Sequence, residues 1–130
     1  GGPPGAARRG RAALEPALAA EIKAAWKGAN EATTTVHHGG VLRGGKVQGD
    51  RTFSTTPDFE HAQQYATMHG GEVSSFELPN DWLRTQLDPR VLGAFKGTDV
   101  LQGTGRPAPE IRFAPSVAPE LNKFRLRGKP

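Results

Sequence analysis

Cysteine is absent from the 130 residues. That excludes disulfides, a thiol nucleophile and any cysteine-based metal site, and it is compatible with a reducing working compartment. Long apolar runs are also missing: nothing approaches the roughly 20 residues that span a bilayer as a helix, and no secretory signal pattern opens the chain. No membrane partner is therefore expected. Aromatic residues are few, with six Phe, two Trp and one Tyr. They are not interleaved with the basic residues, so no stacking platform for single strands is evident along the chain. A P-loop, a dinucleotide-binding glycine fingerprint and a nucleophile elbow are all lacking. The four histidines (His37, His38, His61 and His69) lack metal-site spacing, and no metal is expected.

What is present begins with a boundary. Residues 1–12 are Gly, Pro, Ala and Arg and can bury little, so they read as a flexible linker or processed boundary. A start without Met inside such a linker suggests a piece excised from a longer polypeptide. Residues 13–130 are then one domain, large enough for one core and too small for two. Seventeen Lys and Arg against 13 Asp and Glu give a pI near 9.9. The basic residues gather at both ends: Arg8, Arg9 and Arg11, then Lys123, Arg125, Arg127 and Lys129. Such a balance favours anionic partners by long-range attraction, although basic termini also serve simply as solvated tails.

Periodicity supplies a scaffold. Leu14, Leu18, Ile22, Ala25 and Trp26 repeat at helical spacing over 14–27, with Gly28 as a stop. Thr33–His38 is a β-branched run suited to a strand, and the glycines between 39 and 49 predict a mobile loop. A short strand over 51–55 leads to a helix that Thr56 caps and Pro57 starts, with Phe59, Ala62, Tyr65 and Ala66 on one face. Gly70-Gly71 ends that helix, and 72–78 alternates as a strand. A short helix follows over 79–87, and the Gly- and Pro-rich residues 93–109 predict a long loop. Residues 110–113 and 123–127 are predicted as late strands. The sum is an α+β domain with a mixed sheet.

Four segments along this scaffold carry chemistry: Val36-His37-His38-Gly39, Phe53-Ser54-Thr55-Thr56, Gln64-Tyr65-Ala66 and Pro109-Glu110-Ile111. In that order, over roughly residues 33–114, they resemble the ADP-ribosyltransferase fold. The likeness is to its His-Tyr-Glu type, and especially to the compact toxin domains at the C-termini of bacterial polymorphic and Rhs-type toxins. The resemblance implies a split, mixed or antiparallel β-sheet core with flanking helices, and NAD as substrate. His38, with His37 as the second choice, would anchor the adenosine side. Gly39 would let NAD pass close to the backbone, and Ser54 and Thr56 would bond ribose or carboxamide. Tyr65 would stack on nicotinamide, with Phe53 at the strand position where the family usually has Tyr. Glu110 would bond the nicotinamide ribose and steady the cation formed there. Arginine-modifying relatives carry Glu or Gln two residues before the catalytic Glu; here that residue is Ala108, which argues against arginine as acceptor.

Strand alternation sends His37 and His38 to opposite faces, so at most one is expected in the cleft. The resemblance further implies a mono-ADP-ribosyltransferase toxin, secreted or injected by its producer and acting in a recipient cell's cytoplasm. Its target would be structured RNA or protein. A neutralising immunity protein of acidic character would complement the charge, and the domain itself would be monomeric. Two other functions fit the residues: a basic ribonuclease using a His pair as general acid and base, and a catalytically silent module of the same fold.

Overall fold

The computed structural model describes residues 33–127; the N-terminal linker and the helix expected over 14–27 lie outside them. Among the described residues, five strands and three α-helices follow in the order β1 (Thr33–Gly40), β2 (Phe53–Thr55), α1 (Phe59–His69), β3 (Glu72–Pro79), α2 (Asn80–Leu87), β4 (Ala94–Leu101), β5 (Arg106–Phe113) and α3 (Ala118–Lys123). The class is α+β, with antiparallel pairing throughout. One sheet is β1–β3 and the other is β2–β5–β4. A single antiparallel bridge, His37 to Thr56, joins them.

Period-two alternation places the core. Val36 of β1, Phe76 and Leu78 of β3, Phe53 of β2 and Ile111 and Phe113 of β5 are buried together, and Leu83 and Leu121 close the cluster from α2 and α3. The glycine-rich segment after β1 is better anchored than its composition suggests. Arg43–Gly45 form a 3₁₀ turn, and Val47 is buried with its N–H and carbonyl bonded to the Asn122 amide at 2.8 and 3.0 Å.

Helix α1 begins later than its sequence predicts. Thr56 uses both backbone groups on His37, at 2.8 and 2.9 Å, which holds it extended. Asp58 caps the helix instead, its carboxylate accepting the His61 N–H at 3.0 Å. The buried stripe is His61, Ala62 and Ala66, and Phe59 is exposed. At the far end Gly70 adopts the left-handed conformation, with φ 71°.

Residues 94–109 are the largest departure from expectation: the loop predicted over 93–109 belongs to a β-hairpin, residues 94–113, whose strands pair over their whole length, while 110–113 is a strand as predicted. Composition misleads here because the glycines and prolines have separate jobs. Gly103 and Gly105, with φ 91° and 69°, make the turn. Pro107 and Pro109 lie in β5 before it meets β2, which pairs only with residues 111–113. Their missing N–H groups therefore interrupt no ladder on that side. Glu110 consequently stands inside β5 and not at its start. The strand predicted over 123–127 reduces to one bridge, Arg125 to Phe76, because α3 runs to Lys123.

Candidate active site

The two sheets part immediately beyond the His37–Thr56 bridge. Residues 38–40 continue along β3 and residues 53–55 along β5, so the strands that met at the bridge diverge. A cleft of about 470 Å³ opens at this split, walled on one side by α1. His37, His38, Gly39, Ser54, Thr56, Tyr65 and Glu110 all line it. Phe53 lies beneath, in the core, stacked on the His38 ring with centroids 4.2 Å apart.

The two adjacent histidines occupy different environments, as alternation requires, yet both line the cleft. The His37 ring packs edge-on against Phe59 of α1, and its Nδ1 lies 2.8 Å from Ser75 Oγ. His38 crosses the split: its Nδ1 lies 2.8 Å from the Ser54 carbonyl oxygen. A carbonyl can only accept, so Nδ1 carries the proton and the neutral ring presents Nε2 as a bare acceptor. Burial pushes the His38 pKa below its ordinary value, against the opposing hydrogen bond to Ser54, and burial does the same to His37. The expectation that only one of the pair reaches the cleft fails because the strand leaves its neighbour at this point and both sides open.

Gly39 also has a structural purpose that was not expected. A Cβ there would collide with the carbonyl of Ala62 and lie 2.7 Å from the Ala66 nitrogen. The missing side chain admits the backbone of α1, and that contact sets how close Tyr65 stands to β1.

Glu110 lies across from Gly97 on β4. Extending the β2–β5 register by one residue sets it opposite Thr56, whose other neighbour is His37. Glu110, Thr56 and His37 thus form one lateral row on the cleft face. Its carboxylate is 18% exposed and 3.8 Å from Arg112 Nε, beyond hydrogen-bond reach. Ala108 is buried.

Three cleft residues had no role in the sequence reading. Asp99 of β4 takes two hydrogen bonds on one oxygen: from the Tyr65 hydroxyl at 2.7 Å and from His61 Nε2 at 2.8 Å. The His61 bond, followed by that of Tyr65, holds the Asp99 carboxyl below the usual carboxylate range. The same contact, with burial and the nearby charges of Asp99 and Glu110, pushes Tyr65 up to about 12. His61 is 1% exposed and its Nδ1 has no partner among the described residues. His69 lies nearly parallel to Tyr65, centroids 5.9 Å apart. One sequence signal was available: His61, Tyr65 and His69 repeat every four residues along one helical stripe. Asp99 gave none while its segment read as a loop.

No protein-family model, curated protein or solved structure matches this chain. The chemistry available lies in the cleft. It holds a fixed acceptor (His38 Nε2), hydroxyls (Ser54, Thr56), an aromatic ring locked by its own hydroxyl (Tyr65) and two carboxylates (Asp99, Glu110). Such a set suits a ligand with hydroxyl donors, a flat ring and positive charge that develops in reaction.

Proposed function

We propose that the domain is an NAD-dependent mono-ADP-ribosyltransferase with the split β-sheet of that fold. One observation carries the reading. Segments 37–39, 54–56, 65 and 110, far apart in sequence, converge on a single cleft where two sheets diverge. NAD enters with its nicotinamide against Tyr65 and a ribose hydroxyl donating to His38 Nε2. The bond between nicotinamide nitrogen and ribose C1′ breaks, and its electron pair leaves with neutral nicotinamide. The carboxylate of Glu110 stabilises the ribosyl cation. An acceptor nucleophile then bonds C1′ and gives up its proton. Asp99 keeps the Tyr65 ring in place and adds negative charge beside the cationic nicotinamide.

The wider setting belongs to the same proposal: a toxin domain delivered by secretion or injection, acting in a recipient's cytoplasm and neutralised by an acidic immunity protein. The test is nicotinamide release and label transfer from radiolabelled NAD into a cell lysate, wild type against Glu110→Ala. Label in a nuclease- or protease-sensitive fraction, lost with Glu110→Ala, supports the transferase. Absence of NAD turnover by a folded domain refutes it.

A ribonuclease draws support from one observation, that four histidines line the same cleft. The buried His61 and the tethered His38 leave His37 and His69 as its acid–base pair. Cleavage of RNA without NAD, lost on changing those two, would favour it.

A further inference from the structure

The Glu110 face of the β2–β5–β4 sheet is closed at one end and open at the other. Alternation puts Phe95, Gly97, Asp99 and Leu101 of β4 on one face with their partners Arg112, Glu110, Ala108 and Arg106 of β5. Helix α1 covers the far end. Leu101 and Ala108 are buried there, Asp99 is bonded to His61 and Tyr65, and Arg106 is bonded to Asp58 at 2.9 Å. No described element covers the near end. Phe95 is 39% exposed and the Arg112 side chain 54% exposed, and the two are direct cross-strand partners, with Ser54 of β2 next in the row. Gly97 leaves a smooth floor between this row and Glu110, since a Cβ there would meet nothing.

A second substrate that must reach chemistry at Glu110 finds α1 on one side and this open half-face on the other. Among the described residues Phe95 is the only apolar side chain on the open half, too little for the cluster of buried anchors that holds a protein partner. A lone flat ring beside a guanidinium suits one nucleobase and its phosphate. Phe95 and Arg112 are 17 positions apart in sequence, which is why no aromatic–basic interleaving is visible along the chain.

We propose that Phe95, Gly97 and Arg112 form a nucleotide platform, with a base stacked on Phe95 and a phosphodiester on Arg112, that presents an unpaired nucleotide of a nucleic acid as acceptor. The acceptor role rests on the transferase reading; the binding does not.

The test measures both separately, on the full chain. Fluorescein-labelled oligoadenylate, as RNA and as DNA of equal length, is titrated by anisotropy without NAD. Phe95→Ala should weaken binding roughly tenfold or more and Phe95→Trp should restore it. Arg112→Gln should lower the salt slope by about one. Dependence on Phe95 with RNA alone, DNA alone or both supports the platform and says which sugar it accepts. Phe95→Ala should release nicotinamide as wild type does while losing label transfer to the oligonucleotide. Equal binding by wild type and Phe95→Ala, or no binding by either, overturns the platform whatever NAD does. Phe95-dependent binding in a protein that never cleaves NAD leaves the platform standing and removes the transferase.

Discussion

The hydroxyl of Tyr65 donates to the carboxylate of Asp99 at 2.7 Å, tying helix α1 to strand β4 across the mouth of the cleft. This contact can be read spectroscopically, because Tyr65 is the only tyrosine in the chain. Ionising the phenol would destroy its donor and set a second negative charge against Asp99, which is why its pKa is pushed up to about 12. Near-ultraviolet titration of tyrosinate should show one transition near that value, falling toward the ordinary 10 in Asp99→Asn. The sign for stability follows. A folded-state pKa above the unfolded one gives stabilisation that is complete below about pH 10 and lost as pH rises toward 12. Tyr65→Phe should lack this alkaline decline in unfolding free energy. An unshifted wild-type titration would disprove the contact.

Gly39→Ala should be among the most damaging single-atom additions to the fold. The new methyl meets α1 backbone, which has no rotamer to yield, so the helix must move off β1. A loss of about 3 kcal/mol is expected, at the upper end for overpacking, measured by urea unfolding. A change under about 1 kcal/mol would mean that α1 yields easily.

How much of this was legible follows from where each signal lies. The cleft's first elements were readable because they are local: a β-branched run ending in His37-His38-Gly39, a short strand through Ser54, and a helix ended by Gly70. The hairpin from Ala94 to Phe113 was not, because its Gly and Pro residues indicate a loop by composition while their placement in the turn and beside an open edge permits strands. That misreading hid Asp99, whose partners lie more than 30 positions away. It also placed Glu110 at the start of a strand. The purpose of Gly39 was hidden for a related reason: a glycine's neighbour in space is not written beside it in sequence.

Glu110→Gln separates charge from shape. Its ion pair with the half-exposed Arg112 is long, at 3.8 Å, so stability should stay within about 1 kcal/mol of wild type. Nicotinamide release should fall by about 100-fold or more if the carboxylate stabilises the ribosyl cation. Undiminished release, with binding of NAD retained, would remove Glu110 from the chemistry.

Asp99 also makes an acid prediction distinct from its role at high pH. Its pKa is held down by His61 and Tyr65, so its contribution is present above the ordinary 3.8 and disappears as pH falls below it. Wild type should lose stability in that window, and Asp99→Asn should lose less, seen as converging urea midpoints at low pH. Parallel curves would mean that the carboxylate is not held in its charged form.

The last prediction concerns His38 and turns on which nitrogen carries the proton. With Nδ1–H committed to the Ser54 carbonyl, Nε2 accepts only while the ring is neutral. Burial lowers its pKa below the ordinary 6.5, so the neutral ring is the favoured form at and above that pH. As pH falls through its lowered pKa, Nε2 becomes a donor, and a ribose hydroxyl loses its acceptor. NAD affinity should therefore decline below pH 6.5, while in the same window the unfolded chain takes up its proton first and the fold loses stability. His38→Gln, whose amide can still offer an oxygen, should bind NAD with a flatter profile through this range. His37→Gln should keep the wild-type profile, because the Ser75 hydroxyl can either donate to or accept from that ring. Calorimetric titration of NAD against pH, beside the ring titrations of both histidines by NMR, separates the two. An acid decline that survives His38→Gln and vanishes with His37→Gln would transfer the anchoring role to His37.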